Sequence, residues 1–354
     1  MPGLETVSAN IPALVAVPKS NLSPLPLGGV SGVPTLIQSR CGNKGNFELV
    51  TPMASGGLAH YWRDNDDPFT PWVGPIYFGQ EAGRFEAVGM IQSNFGGPGN
   101  LEVVGRIADR LVFFWRDSGP AVSWKGSVPI ITDGVPIAGV TGNPVLIQSR
   151  CGNKGNFELI TPMASGGLAH YWRHNDDPTL PWHGPTFFGQ ELGVVGSVSF
   201  IERKFGNPGN LEIVVGVGTT IDFLWRDSGP KFARNGPTPI AANGISPVII
   251  QSRFGAMGNF EILAIEPPFS PNAGIAHYWR NNDDSSLPWS KSTVFGREPV
   301  WQTPIESLTF IQSNFGNPGN LEVMVRIGDQ FVFFWRDSGP AFNWNGPFAV
   351  TAGS

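Results

Sequence analysis

The sequence predicts an all-β chain, a six-bladed β-propeller of four-stranded blades. Three observations carry that expectation. A Gly-Asn-Phe/Leu-Glu core recurs six times, at Gly45, Gly99, Gly155, Gly209, Gly258 and Gly319, with spacings of 54, 56, 54, 49 and 61 residues. Each copy holds four short extended runs divided by turn residues. No window shows a helical period. A repeat of this length with four strands describes a propeller blade.

The first copy shows how each element is read. Its runs are "TLIQS" from Thr35, "NFELVTP" from Asn46, "LAHYWR" from Leu58 and "PIYFG" from Pro75. In the second run Phe47 and Leu49 alternate with Glu48 and Val50, the two-residue period of a strand. Gly-Asn, Gly-Pro, Asn-Asp and Ser-Gly pairs between runs mark the turns. On this reading residues 1–354 form one domain, with blades beginning near 35, 89, 145, 198, 248 and 308. Residues 1–33 serve as lead-in. Within them "ALVAVPK", Ala13 to Lys19, is expected to add an outer strand beside the last blade and so close the ring without an exposed edge. A pair of packed sheets or an open solenoid is the competing arrangement.

The copies alternate in kind. Type A carries "HYWR", then Asn-Asp-Asp, then a Trp ten residues after the first; type B carries "FFWRDSGP" or "FLWRDSGP". The larger unit is therefore an A–B pair, present three times. The first two A copies match from Leu36 to Trp62 and from Leu146 to Trp172 except at Val50/Ile160, the mark of a recent duplication.

Composition narrows the function classes. Gly (46) and Pro (33) make the chain turn-rich, while 12 Trp and 25 Phe supply enough apolar area for a packed fold. A net charge of −5 without a Lys/Arg run excludes a sequence-independent grip on nucleic-acid phosphates. There is no apolar stretch of 18 residues to make a membrane-spanning helix. The first twenty residues lack a basic region followed by an apolar core, so the expected location is the cytoplasm, or outside the cell by a route without a classical signal peptide. Cys41 and Cys151 stand where the other copies have Phe95, Phe205, Phe254 and Phe315, which makes them small buried hydrophobes and not halves of a disulfide.

Every copy repeats a Trp-Arg pair and a Glu: Trp62, Arg63 and Glu48; Trp115, Arg116 and Glu102; Trp172, Arg173 and Glu158; Trp225, Arg226 and Glu212; Trp279, Arg280 and Glu261; Trp335, Arg336 and Glu322. One reading is architectural, with Trp wedged between blades and Glu paired to an Arg of its own or the neighbouring blade. The other is carbohydrate binding. A sugar ring offers an apolar C–H face to Trp and hydroxyls to Arg and Glu. The second Trp of each type A copy, Trp72, Trp182 or Trp289, joins that set. In architecture and composition the whole chain resembles the β-propeller lectins of bacteria and fungi. The resemblance implies sugars held on or between blades, glycans or glycoconjugates as partners, multivalent binding and no catalysis.

The type A loops add Asp66 and Asp67, Asp176 and Asp177, and Asp283 and Asp284. Three readings apply: Asx-type turns whose carboxylates accept backbone N–H groups, a sugar site with the second Trp, or a Ca²⁺ site without the spacing of the twelve-residue EF-hand loop. No other cofactor is expected. His60, His170 and His277 lie on third strands, away from the ring axis, so a shared metal is not expected. The alternative function is a propeller enzyme, such as a glycan-active hydrolase, or a protein-interaction platform at one channel mouth. The asymmetries that favour it are Arg234 in place of Trp, Glu202-Arg203-Lys204, and the insertion and Trp301 of the fifth copy. No Ser/His/Asp set or distinctive carboxylate pair stands out.

Overall fold

The two-residue alternation gives each blade two unlike apolar faces, and the ring forms because each face matches a neighbour. Leu36, Phe47, Leu49 and Tyr61 of the first copy pack against Met324, Phe331 and Phe333 of the last. Ile37, Val50, Leu58 and Phe78, from the opposite face, pack against Phe85, Val88, Met90 and Phe114 of the second. Phe47, Leu49 and Leu58 are completely buried. Each such side chain contributes about 1.5–3 kcal/mol.

The computed structural model describes residues 28–67, 72–118, 123–229, 232–267, 273–297, 304–339 and 342–350. It is a six-bladed β-propeller of antiparallel four-stranded sheets. Blade 1 comprises Thr35–Gln38, Phe47–Pro52, Leu58–Arg63 and Val73–Phe78. Blade 2 comprises Ala87–Gln92, Leu101–Ile107, Arg110–Arg116 and Trp124–Pro129. Blade 3 is Val145–Gln148, Phe157–Pro162, Leu168–Arg173 and Trp182–Phe188, and blade 4 is Ser197–Glu202, Leu211–Val217, Thr220–Arg226 and Arg234–Ala241. Blade 5 is Ile245–Gln251, Phe260–Ile265, Ile275–Arg280 and Trp289–Phe295, and blade 6 is Ile305–Gln312, Leu321–Ile327, Gln330–Arg336 and Trp344–Ala349. A small hairpin, Ile131–Thr132 with Val135–Pro136, extends the sheet of blade 3 beyond its outer strand.

Third and fourth strands meet through a bulge near the repeated Trp, as between His60 and Trp62. Gly74 sits there at φ 122, where a Cβ would stand 2.7 Å from the His60 carbonyl oxygen. Only glycine fits so close an approach.

Blade 6 takes its four strands from its own copy, and the expected closing strand at Ala13–Lys19 lies outside the described residues. The seam between last and first blades is held by the contacts that join the other neighbours. Leu36 N donates to Thr309 Oγ1 at 3.1 Å, and Arg326 Nε to the Gly32 carbonyl at 2.8 Å.

The Gln of each first strand completes the ring. Gln38 Oε1 accepts from Asn314 N, Gln92 from Arg40 N, Gln148 from Asn94 N, Gln251 from Lys204 N and Gln312 from Arg253 N. The amide nitrogens donate to carbonyls of their own blade, such as Lys44 O and Gly319 O. Blade 4 has Glu202 there, which has no proton to donate. It accepts from Arg150 N at 2.7 Å and from Gly209 N at 2.8 Å. Gly209 accordingly lacks the positive φ of its counterparts Gly45, Gly99, Gly155, Gly258 and Gly319, because its peptide presents N–H and not C=O.

Candidate functional site

Adjacent residues of a strand point to opposite faces, so the repeated Trp-Arg pair is divided between two blade boundaries. Trp62 lies opposite Glu48 on the face toward blade 2. Arg63 faces blade 6, with its guanidinium 5.9 Å from the Phe333 ring. Every boundary therefore gathers the Trp and Glu of one copy with the Arg of the next. Charge coupling follows that order around the ring: Glu102 with Arg173, Glu212 with Arg280, Glu261 with Arg336 and Glu322 with Arg63. Arg116 completes the pattern between blades 1 and 2, with Nη1 3.2 Å from His60 Nδ1. Arg226 acts electrostatically on His170 between blades 3 and 4. The Trp, Arg and Glu of one copy thus do not form one set. The six Glu are only 2–3% exposed.

The six boundaries are of two kinds. Where a B blade meets the next A blade, the Arg is walled in by aromatics. Arg63 lies 4.6 Å from Phe47 and 6.0 Å from Trp72. Arg173 lies 4.0 Å from Phe157, 5.2 Å from Phe113 and 5.9 Å from Trp182. Arg280 lies 4.5 Å from Phe260, 4.8 Å from Phe223 and 5.1 Å from Trp289. The second Trp of each type A copy is thus a wall of an arginine cage, and Trp72 is buried. Cation–π contact and burial fill these boundaries. Trp115, Trp225 and Trp335 pack against the same clusters.

The Glu of a filled boundary has no His beside it. Glu102 and Glu322 accept from Ser93 and Ser313 at 2.9 and 2.8 Å, and Glu212 meets Arg203 Nη1 at 3.5 Å. Burial pushes Glu102 and Glu212 up to about 7 and Glu322 up to about 8, against the pull of the arginines. Burial likewise holds Arg173 down to about 10.

Where an A blade meets the next B blade, the groove has no such cage: Arg226 and Arg336 each face one ring of their own blade, Phe232 at 5.1 Å and Phe342 at 4.8 Å. The Glu is bound within its own blade: His60, His170 and His277 bond Glu48, Glu158 and Glu261 at 2.8, 2.7 and 2.8 Å. Burial pushes His60 and His170 below the ordinary imidazole range in spite of those partners. Trp62 and Trp172 stack beside these imidazoles at 5.7 and 5.8 Å, and with Trp279 they are partly exposed and belong to no hydrophobic cluster. The facing B blade supplies Arg116, Arg226 or Arg336, together with the residue on which its outer strand begins. Trp124 stacks on Phe78 at 4.1 Å, and Trp344 on Phe295 at 3.9 Å. In each groove a buried donor has no partner: Trp124 Nε1 in the first, Arg226 Nε in the second and Trp344 Nε1 in the third.

Sequence reasoning left Trp124, Trp344 and the three His out of the site. Their signal was the strand period, which puts His60 two residues before Trp62 and on the same face.

The acidic loops are turn structures. Asp66, Asp176 and Asp283 each accept two backbone N–H groups of the loop between the first two strands. The pairs are Asn43 and Lys44, Asn153 and Lys154, and Ala256 and Met257, all at 2.6–2.9 Å. Asp177 and Asp284 accept the N–H and hydroxyl of Thr179 and Ser286; Asp67 is exposed. The intervening Asn65, Asn175 and Asn282 tie Arg63, Arg173 and Arg280 to a Gly carbonyl of that same loop. Both thiols are free, and both cysteines are partly exposed and not buried as expected. Among the described residues no helix is long and apolar enough to cross a membrane.

No family model matches the chain, and no curated protein does. Solved structures match its fold. The BP39L lectin from Burkholderia pseudomallei is 18% identical with a TM-score of 0.64, over 91% of this chain and 86% of that one. The fucose-specific lectin from Aleuria aurantia is 16% identical with a TM-score of 0.62, over 92% and 98%. The K499G mutant of the NanB sialidase from Streptococcus pneumoniae is 10% identical with a TM-score of 0.60, over 87% and 67%. The chain is thus similar in fold to lectins and to an enzyme.

Proposed function

We propose that this protein binds glycans multivalently, without catalysis, in the three grooves between blades 1 and 2, 3 and 4, and 5 and 6. One observation carries the reading. Each groove sets a partly exposed Trp beside a guanidinium and a buried donor that has no partner. A pyranose asks for that combination, because its C–H face stacks on an indole while its hydroxyls accept from N–H groups. In the filled boundaries Trp115, Trp225 and Trp335 are partly exposed as well, but there the Arg is enclosed by aromatics of both blades. The lectin neighbours support the reading at the level of fold, and three weak sites gain strength on a target that displays many copies of its sugar.

The test is a glycan array with labelled protein, run with and without Ca²⁺, followed by calorimetric stoichiometry on any sugar bound. About three sites per chain is the expected result. Six would move the site to all boundaries, and a blank array in both conditions would overturn glycan binding. Arg116→Ala should remove one site, whereas Arg173→Ala should cost stability and leave the stoichiometry unchanged.

A further inference from the structure

The groove between blades 3 and 4 differs from its two sisters by three added cationic or basic groups, while the one acidic change at this boundary, Glu202 in place of Gln92 and Gln312, is paired with Arg150. Where blades 2 and 6 place Trp124 and Trp344 over Phe78 and Phe295, blade 4 places Arg234, its guanidinium 5.0 Å from the Phe188 ring. Opposite the repeated Trp, blade 1 has Val73 and blade 5 has Ser290, while blade 3 has His183. Two residues after that Trp stand Asp64 and Asn281 in the sister copies and His174 here. These side chains form two pairs. His183 stacks on Trp172 at 5.7 Å and lies 4.6 Å from His174. Arg234 stands directly opposite Arg226 on the neighbouring strand, and the two guanidinium charges oppose each other.

The negative groups nearby are already engaged. Glu158 accepts from Ser149 at 2.9 Å and is bonded to His170 at 2.7 Å. Asp177, the acid that feels His174 and His183, has Oδ1 taken by Thr179 N and Oγ1. Among the described residues neither Arg226 nor Arg234 has a carboxylate at ion-pair distance, and the buried Arg226 Nε and His183 Nε2 have no hydrogen-bond partner. Two guanidinium groups held together without a counter-charge invite an anion, and planar guanidinium suits carboxylate or sulfate.

We infer that this groove takes a negatively charged sugar, one bearing a carboxylate or a sulfate, while the two Trp-bearing grooves take neutral sugar. The anionic group bridges Arg226 and Arg234, and Trp172 with His183 offers the aromatic face. The inference rests on the grooves being glycan sites and deepens that reading.

The experiment compares matched pairs by calorimetry: glucuronic acid against glucose, and galactose 6-sulfate against galactose. It is run on the whole chain at low and high salt. The expected result is one site per chain that prefers an acidic member, weakens as salt rises, and loses about ten- to hundredfold in affinity in Arg234→Trp. That variant restores the residue of the sister copies, and Arg226→Gln should give the same loss should the first fold poorly. Which acid binds separates carboxylate from sulfate recognition. Neutral sugars bound with no preference for either acid would overturn the inference and leave glycan binding standing. An acidic site that survives Arg234→Trp unchanged would also overturn it. No binding of either acid would overturn the inference, while glycan binding as such stands or falls on the array.

Discussion

Replacing Glu102 by Gln tests how the filled boundaries are held. Glu102 is 3% exposed, accepts the Ser93 hydroxyl at 2.9 Å and faces Arg173 of the next blade. Burial pushes its carboxyl up to about 7 from the 4.5 of a free glutamate. At 1.36 kcal/mol per pH unit, that gap corresponds to about 3 kcal/mol. The folded state binds the proton more tightly than the unfolded chain does. The protonated form's contribution is therefore whole below pH 4.5 and is lost as pH rises through 7. Wild-type stability should fall by about 3 kcal/mol on this account between pH 5 and pH 8. Gln has no proton to lose and keeps an acceptor for Ser93, so Glu102→Gln should show a pH profile flatter by that amount. Urea unfolding at pH 5, 6, 7 and 8 measures the difference. Parallel profiles for the two proteins would refute the reasoning and place the charged carboxylate comfortably beside Arg173.

Other perturbations follow the same logic. Glu322→Gln should flatten the profile as well, but over a range reaching about pH 8, since Glu322 is held higher. Gln38→Ala removes the acceptor of Asn314 N and the donor to Lys44 O at the seam of the ring; a loss of about 1–2 kcal/mol in urea unfolding is expected, similar to that of Gln148→Ala within the ring. Asp176→Ala strips the acceptor from Asn153 N and Lys154 N and should cost about 1–3 kcal/mol, measured as a lowered unfolding midpoint. Trp62→Ala, at a partly exposed position in no core cluster, should leave the fold intact and lower glycan stoichiometry from about three to about two.

Much of this molecule was legible along the chain. Six copies of a Gly-Asn-x-Glu core, each with four short runs, suffice for the blade number, because strand period and turn residues act over a few neighbours. The alternation of A and B copies already divides the boundaries into two kinds. Local chemistry also decides the acidic loops, where Asp at a turn accepts backbone N–H groups whatever lies beyond. The sets of Trp, Arg and Glu could not be assembled that way. Trp62 and Arg63 are neighbours in sequence and point to opposite faces, so their partners come from blades 2 and 6, and the latter lies some 270 residues away along the chain. Which outer-strand Trp lines a groove and which walls a cage depends on whether the facing blade brings His60 or Phe333 to it. That is decided by the packing of one copy on the next. The strand period says which residues share a face, and only the closed ring says what that face meets.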